Sequence, residues 1–497
     1  MDAPEDRHEA ALAAIVRGMV VALLGSVLGG GFGFLFLVVM AHVMPQRGFG
    51  VLVITVNLLS LGQAFGVAGA DFAAIRYVAA ADTPGRKRGA MATPLVLVAA
   101  LNCLIALVVF AAAHPIAHRL LGQHGLTGTM RVVALVLPLT VTAAMLSAAI
   151  SGLEQARGEL VRKVAEQGGR IVFCPLLYAA GLGITGAVAG MAVAAALAIV
   201  SVGGLLLYAL PRGGQTEWLP PMRVISFAWP QSLATIAGQL WMTTAVIALS
   251  HYSGNRQVAL WGGAIAIARL PALVYNAFTF RFSPTISRLW EAHDLPALAS
   301  LLKSVTRWVA ILAVPLYAVA IVLPGPLLRI YGSGFRGGST ALVLIAVAVL
   351  LDSLAGPNDR ALIMTGRVKL EMAANVTTAA VMTPISVVLT ARYGLNGAAV
   401  GLISYNILVN VLKGGLVWRT LRMNSFSAAL LGPLFAAALA GAACLGVERA
   451  TSLGSSLPGT AVLAVGLLLL YAVLLLRVVG ISAADRGALR IATRPSA

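Results

Sequence analysis

Long apolar runs separated by short polar segments extend over the whole chain. The runs exceed about 18 residues and show little period-two alternation, which predicts membrane-spanning helices rather than barrel strands. We predict fourteen helices, near residues 14–40, 49–73, 91–113, 129–150, 167–182, 185–209, 224–250, 257–280, 303–324, 339–356, 370–391, 394–417, 427–447 and 458–479. The segments between them are too short for an extramembrane domain, and no GxxxxGK[ST] phosphate loop occurs.

Composition places the chain among integral membrane proteins. Of its 497 residues, 59% are hydrophobic and only 10% are charged, and the mean hydropathy is +0.92. A soluble domain carries about 25% charged residues, so the composition excludes a soluble enzyme, a nucleic-acid binder and a disordered chain. The three cysteines lie in apolar runs and indicate no disulfide framework. We expect no enzyme activity and no cofactor.

The distribution of basic residues predicts the orientation of the helices. When loops are assigned alternately to the two sides, 26 Lys and Arg fall on one side and eight on the other. Cytoplasmic loops carry such an excess, so we expect both termini in the cytoplasm. The net charge of +18 is explained in the same way. The first ten residues are acidic and polar, unlike the basic start of a signal peptide, so we expect them to be retained.

An internal repeat divides the chain into two halves. Residues 183–190 (GITGAVAG) open the sixth predicted helix, and residues 394–401 (GLNGAAVG) open the twelfth, at an offset of 211. Two further matches, 47–52 with 256–261 and 158–163 with 366–371, have offsets of 209 and 208. Six helices per repeat is an even number, so both halves have the same orientation. We predict two pseudo-symmetric six-helix lobes around a central cavity, 1–212 and 213–425, with two further helices and a cytoplasmic tail in 426–497.

Four segments resemble a known family. They are residues 44–52 (MPQRGFGVL), 74–78 (AIRYV), 361–369 (ALIMTGRVK) and 393–401 (YGLNGAAVG). Their order and spacing, together with the two six-helix halves, resemble the polysaccharide flippases of the multidrug/oligosaccharidyl-lipid/polysaccharide exporter superfamily. The resemblance covers almost the whole chain.

The resemblance implies a function and a set of partners. Members move an isoprenoid-diphosphate-linked oligosaccharide from the cytoplasmic to the periplasmic leaflet of the bacterial inner membrane, for lipopolysaccharide or exopolysaccharide biosynthesis. The expected partners are this anionic lipid-linked oligosaccharide, the membrane lipids, a coupling H⁺ or Na⁺ ion and a polysaccharide polymerase or assembly protein. Nucleic acid is not expected. A lipid II flippase and an ion-coupled multidrug exporter of the same superfamily are the alternatives.

Charged side chains within the predicted helices are candidates for the substrate site, because a charge in hydrocarbon is costly unless it faces protein or water. Arg269 lies roughly 18 Å into the eighth predicted helix, at 1.5 Å per residue. Asn276, seven residues later, is expected on nearly the same face. Arg17 lies near the start of the first helix. We predict that Arg269 binds the diphosphate and that Arg17 lies nearer the entrance. The alternatives are a packing role for Arg269 and snorkelling of Arg17 to the interface.

Polar stripes on other helices are candidates for binding the sugar hydroxyls. The seventh helix aligns Ser232, Thr235, Gln239 and Thr243, and the second helix contributes Asn57. Such stripes also form simple interhelical hydrogen bonds. The twelfth helix aligns Asn406, Asn410 and Lys413, of which Lys413 is expected to be an anchor at the helix end.

Two acids are candidates for ion coupling. Asp71 lies near the end of the second helix and Asp352 near the end of the tenth. The alternative for Asp71 is a structural ion pair with an arginine such as Arg76. No acid lies clearly at the middle of the membrane, which favours an anionic substrate over a cationic drug. His114 and His118 are four residues apart, but we expect no metal site.

Overall fold

The computed structural model describes residues 29–120, 124–153, 157–210, 213–425, 428–451 and 453–479. Arg17 lies outside these residues. In the described part the regular structure is entirely helical. The long helices of the first half are α1 Gly29–Val43, α2 Gln46–Val67, α3 Ala70–Ala79, α4 Pro84–Ala111, α5 Thr127–Gly152, α6 Arg157–Leu177 and α7 Gly183–Ala209. Those of the second half are α8 Pro221–Ser253, α9 Asn255–Arg269, α10 Ala272–Glu291, α11 Leu295–Val322, α12 Ser339–Leu354, α13 (368–393), α14 (395–421), α15 Leu431–Ala450 and α16 Leu457–Leu474.

These helices account for the fourteen predicted spans. Within the described residues, ten stretches are apolar and long enough to cross a membrane. Two of them, Gly158–Ala209 and Val368–Leu421, each contain two antiparallel helices, which makes twelve spans. The shorter α1 and the pair formed by α9 and α10 supply the other two. The prediction of an all-helical, polytopic membrane protein is confirmed.

Two helical hairpins turn at a glycine in the same conformation. Gly183, between α6 and α7, has φ 56° and ψ −146°, and Gly394, between α13 and α14, has φ 56° and ψ −132°. The two positions are 211 residues apart, as in the sequence repeat. Side chains other than glycine rarely adopt this region, so the repeated glycine is required by the turn.

The next glycine of each hairpin lets the two helices approach closely. A Cβ atom on Gly186 would lie 2.5 Å from the carbonyl oxygen of Leu177, and one on Gly397 would lie 2.0 Å from that of Leu389. Small residues permit such contacts between membrane helices. The hairpins therefore pack by the same contact, which explains why the GxxGxxxG spacing recurs.

The chain separates into two compact units. Among the described residues, unit 1 comprises those within 29–30, 264–371 and 402–479, and unit 2 comprises those within 31–263 and 372–401. In unit 1, α15 and α16 pack on α11, where the Tyr471 hydroxyl donates to the Ile311 carbonyl oxygen at 2.9 Å. In unit 2, the indole of Trp241 on α8 donates to Ser386 on α13 at 3.0 Å. The two units are defined by contacts between residues, whereas the predicted lobes are defined by the sequence repeat. The units therefore do not test the predicted boundaries at 212 and 425, which stay a prediction.

The predicted eighth helix is broken in its interior. Helix α9 ends at Arg269, residues 270 and 271 form a turn, and α10 begins at Ala272. Residue 271 is a proline, which has no N–H to donate and whose ring clashes with the preceding turn of a helix. The helical hydrogen-bond pattern ends here, and Leu270 N–H donates to the Ile267 carbonyl oxygen, three residues back, at 3.1 Å. The expected continuous helix over 257–280 is therefore wrong, and so is the expected shared face of Arg269 and Asn276.

An extended segment, the strap (213–220), lies against the start of α4 in unit 2. Glu217 N–H donates to the Gly85 carbonyl oxygen at 3.1 Å, and Leu219 N–H donates to the Thr93 hydroxyl at 3.1 Å. The Arg88 guanidinium donates to the carbonyl oxygens of Gly213 and Gly214. The contact is so close that a Cβ on Gly89 would lie 1.7 Å from the carbonyl oxygen of Glu217.

Candidate functional site

Arg269 occupies the end of α9, at the break in the membrane helix. It lies about 21 Å from Asn255 at 1.5 Å per residue, within a hydrocarbon layer about 30 Å thick. Arg269 is surrounded by many protein atoms, but part of its surface is accessible, so it borders an open space inside the protein. Among the described residues it makes no hydrogen bond or ion pair within 4 Å, and the charge that acts on it is that of Asp352. A guanidinium in this position is open to a ligand.

Asp352 lies near the end of α12 and faces α14. Its carboxylate accepts a hydrogen bond from Asn410 at 2.8 Å. One turn earlier, Asn406 donates to the Ala348 carbonyl oxygen at 2.8 Å. The polar stripe of α14 therefore forms hydrogen bonds with α12. Asp352 also lies close enough to Arg269 for their charges to interact. Asp352 lies near a helix end, as expected, and its proximity to Arg269 is the feature that the sequence did not predict.

Lys413 completes the α14 stripe as a member of an ion pair. Its ammonium lies 3.4 Å from the carboxylate of Glu371 on the neighbouring helix, and the two side chains are 14% and 6% exposed. A lysine that anchors a helix end at the interface would be exposed. The expected anchoring role is therefore wrong, because Lys413 is held inside unit 1.

A second acid, which interacts with Asp352, lies on the short helix Asn358–Met364. Asp359 accepts a hydrogen bond from the Tyr275 hydroxyl at 3.1 Å, and its side chain lies 3.5 Å from the Arg360 guanidinium. Asn276, next to Tyr275, is exposed. We define the polar cluster of unit 1 as Arg269, Tyr275, Asp352, Asp359, Asn410 and Lys413, since these side chains are linked by the hydrogen bonds and electrostatic interactions above.

Sequence reasoning missed Tyr275, Asp359 and Glu371. Asp359 follows α12 in a stretch that the hydropathy pattern assigns to a loop, Glu371 lies at the start of the predicted eleventh helix, and Tyr275 is an aromatic residue in an apolar run. The signal that could have found Asp359 was its position beside Arg360 in a segment that also contains Gly356 and Pro357. A Gly-Pro pair marks a turn, so the charged residues that follow it were the sign of a separate element between the two membrane helices.

The predicted stripe on α8 belongs to unit 2 and contacts α2. The Thr243 hydroxyl donates to the Asn57 carbonyl oxygen at 3.4 Å, and Gln239 donates to Thr243 at 3.4 Å. Ser232 is buried and donates to the Ala228 carbonyl oxygen at 2.8 Å, whereas Thr235 is exposed. Asn57 and the α8 stripe thus come together, and most of the stripe is used in contacts between or within helices.

Asp71, on α3, does not form the ion pair that we considered for it. Within the described residues its carboxylate has no basic partner within 4 Å, and its Oδ1 has no hydrogen-bond donor. Arg76 instead stacks on the ring of Phe227, with 4.6 Å between the guanidinium carbon and the ring centroid. The charges that act on Asp71 are those of Glu159 and Arg162 on α6.

Those two residues begin an ion-pair ladder along α6. The Arg162 guanidinium donates to Glu159 at 2.7 Å and 3.0 Å and to Glu166 at 2.7 Å. Glu166 also accepts from Arg170, and Glu159 accepts from the Ser147 hydroxyl at 2.8 Å. Because its charges are compensated within the helix, α6 can begin within this charged segment, which the hydropathy pattern assigned to a loop.

In the described part of the chain, no group of three or more His, Cys, Asp or Glu side chains is arranged to hold a metal ion. The rings of His114 and His118 stack with their centroids 4.0 Å apart.

A family model described as "Polysaccharide biosynthesis protein" matches residues 15–290, which is more than half of the chain. The chain belongs to this family. A search of curated proteins finds no match.

Solved structures show which fold this polysaccharide biosynthesis protein has. The lipid II flippase MurJ, in an inward closed conformation, aligns with a TM-score of 0.68 at 11% identity, covering 92% of this chain and 98% of that one. An inward-facing multidrug resistance MATE family transporter of the MOP superfamily aligns at 0.60 and 16% identity, covering 83% and 94%. A MATE structure in the bent conformation aligns at 0.62 and 15%, covering 86% and 99%. The fold is that of the MOP superfamily, and the resemblance seen in the sequence is confirmed.

Proposed function

We propose that this polysaccharide biosynthesis protein is a flippase of the bacterial inner membrane. Its substrate would be an isoprenoid-diphosphate-linked oligosaccharide, moved by alternating access from the cytoplasmic to the periplasmic leaflet, where a polymerase would receive it. The family description supports the connection with polysaccharide, and the fold shared with a lipid II flippase supports transport of a lipid-linked substrate.

The observation that carries the proposal is the position of Arg269. An unpaired charge facing hydrocarbon would be costly, so an exposed guanidinium at this depth requires water or an anionic ligand. Arginine offers a planar fork of donors that binds phosphate oxygens bidentately. Helix α10 begins three residues after Arg269, and the N-terminus of a broken membrane helix also favours anionic groups. Both features suit a diphosphate.

The acids of the polar cluster support coupling to a cation. A diphosphate bound at Arg269 would be repelled by the carboxylates of Asp352 and Asp359. Uptake of H⁺ or Na⁺ at Asp352 would remove this repulsion, so substrate and cation would bind together. Asp71 in unit 2 is a second candidate for the cation, because one of its oxygens is buried without a donor.

The same acids support a second candidate function, ion-coupled export of a cationic compound. In that case Asp352 would bind the substrate and Arg269 would only compensate its charge. A lipid II flippase would use the same residues as the oligosaccharide flippase and differ in the sugars that it accepts.

Transport by Arg269 variants tests the proposal. The purified chain would be placed in vesicles with a fluorescent polyprenyl-diphosphate oligosaccharide, and its appearance in the opposite leaflet would be measured. Loss of charge-assisted hydrogen bonds worth about 1.5–3 kcal/mol should slow transport by roughly 10- to 100-fold in Arg269→Ala, and Arg269→Lys should keep part of the rate. Arg256→Ala is the matched control, since Arg256 begins the same helix and donates to Gln46 at 3.1 Å. Unchanged transport by Arg269→Ala would refute the proposed site.

Asp352→Asn separates the two candidate functions. For the flippase, this variant should still bind the diphosphate substrate, but its binding should no longer depend on pH or Na⁺. For an exporter of cations, the same variant should lose binding of a cationic dye while Arg269→Ala retains it.

A further inference from the structure

One end of unit 1 carries a group of basic side chains around an apolar core. The core forms where α10 ends, α11 begins, the segment after α12 turns back and α14 ends, and includes Ile286, Leu302, Leu362 and Leu421. Six basic side chains lie next to these elements, namely Arg288, Lys303, Arg367, Lys369, Arg419 and Arg422. The basic-residue count assigns this end to the cytoplasmic side of the membrane. We call these six residues the basic rim.

The basic rim lacks the acidic partners that basic residues have in unit 2. There, Arg86 pairs with Glu217 at 3.1 Å, and Arg162 pairs with two glutamates. In the described part of the chain, no residue of the basic rim lies within 4 Å of a carboxylate. The nearby acid Asp294 is used to cap α11 through the Ala297 N–H at 3.0 Å. The positive-inside bias applies to both units, so it does not explain why these six residues of unit 1 have no acidic partner.

Two arginines of the basic rim lie over tryptophan rings. The guanidinium carbon of Arg367 lies 4.7 Å from the centroid of Trp290, and its nitrogens point to the carbonyl oxygens of Thr365 and Thr420 at 3.3 Å and 3.5 Å. The guanidinium carbon of Arg422 lies 5.6 Å from the ring centroid of Trp418, a residue that is 59% exposed. Stacking orients a guanidinium and leaves its charge uncancelled.

The tryptophans indicate the depth at which these charges lie. Indole rings are enriched at the level of the lipid head groups, so a guanidinium stacked on an exposed indole lies at the level of the lipid phosphates. Basic clusters in this position attract anionic lipids.

We propose that the basic rim binds the head group of an anionic phospholipid, phosphatidylglycerol or cardiolipin. The phosphate contacts the exposed guanidinium of Arg422 together with Arg419, and Arg367 and Lys369 supply further charge. The acyl chains lie along the exposed apolar face of α14. This site is separate from the polar cluster and does not depend on the proposed transport function.

Lipid binding to the purified full-length chain tests the proposal. Native mass spectrometry in a neutral detergent would count retained lipid after addition of phosphatidylglycerol, cardiolipin or phosphatidylcholine. The chain should retain the two anionic lipids in preference to phosphatidylcholine. The double variant R367Q/R422Q should weaken retention of the anionic lipids by roughly tenfold or more, from the loss of two charges.

The matched control is R86Q/R131Q, which also removes two positive charges. It removes one arginine–aromatic contact as well, since the guanidinium carbon of Arg131 lies 5.4 Å from the ring centroid of Phe110. The control should retain anionic lipid like the unmodified chain. If R367Q/R422Q fails to fold, R419Q/R422Q changes two exposed residues and should show the same loss. Equal retention by the control and the rim variants would overturn the proposal. So would equal retention of phosphatidylcholine, or displacement of the lipid by millimolar inorganic phosphate, which would make the rim a site for free phosphate.

Discussion

The close contact between Gly89 and the strap predicts the effect of adding one methyl group. In Gly89→Ala the new Cβ would lie 1.7 Å from the carbonyl oxygen of Glu217 and 2.5 Å from its carbon, whereas ordinary contact begins at 3.4 Å. The clash is with backbone on both sides, so a side-chain rotation cannot relieve it. The strap has to move away from α4 by more than an ångström.

The cost follows from the bonds that this movement breaks. The hydrogen bonds of the Glu217 and Leu219 N–H groups, both 3.1 Å long, are lost, and each contributes about 1 kcal/mol. The Arg86–Glu217 ion pair is exposed on both sides and adds little. About 2 kcal/mol corresponds to a roughly 30-fold rise in the population of the detached strap.

Limited proteolysis measures that population. A glutamate-specific endoproteinase should cut after Glu217 only when the strap is detached, so Gly89→Ala should be cut roughly 30-fold faster than the unmodified chain, the factor expected for about 2 kcal/mol. Gly204→Ala on α7 is the matched control, because a Cβ there meets no atom within 4 Å. It should be cut at the unmodified rate. Equal rates for the two variants would show that the strap is not fixed by this contact.

Three further predictions concern the fold. Gly394→Ala, at φ 56°, should lower the temperature of heat-induced aggregation in detergent, since the backbone strain costs about 1–3 kcal/mol; Gly415→Ala, in open space, should not, and equal temperatures would contradict the role of the turn. Arg162→Met should reduce the monodisperse fraction after heating, because removing one partner of a buried ion pair costs about 3–5 kcal/mol, whereas Lys163→Met, at the partly exposed margin, should have little effect; the opposite order would refute the ladder's role. Reporter fusions after residue 215 and at the C-terminus should both be active only as cytoplasmic reporters, and a periplasmic C-terminus would mean a miscounted span.

The spans and the two hairpins could be predicted from the sequence because their signals are local. Hydropathy over about 20 residues decides whether a helix can cross the membrane. The glycines at 183 and 394 are each required by a turn of the same kind, so the repeat in the sequence and the repeat in the backbone coincide.

The break after Arg269 could not be predicted from its proline. Pro94, Pro138, Pro230 and Pro315 all lie inside continuous helices. Proline in a membrane helix is tolerated where neighbouring groups satisfy the freed carbonyls, and the sequence does not show those neighbours. Pro271 follows a helix that stops, and nothing in its own sequence context separates it from the prolines that a helix continues through, so the position of Arg269 at a helix end needed the structure.

Pairing between helices was equally hidden in the sequence. Glu371 and Lys413 are 42 residues apart, and Tyr275 and Asp359 are 84 residues apart. Their contact depends on how the helices of unit 1 pack. The ladder on α6 differs, because Arg162, Glu166 and Arg170 are spaced by four residues and that spacing alone predicts pairing on a helix. It was missed because a dense run of charges is typical of a loop.

The α6 ladder has a consequence for biogenesis. Its ion pairs join residues three and four apart on one helix, so they can form while the helix is still alone in the translocation machinery, and charge compensation enters the bilayer with the helix. The pair of Glu371 and Lys413 joins α13 to α14 and exists only after both have been synthesised. In the first hairpin the charges are therefore compensated by one helix alone, whereas in the second the compensation requires both helices.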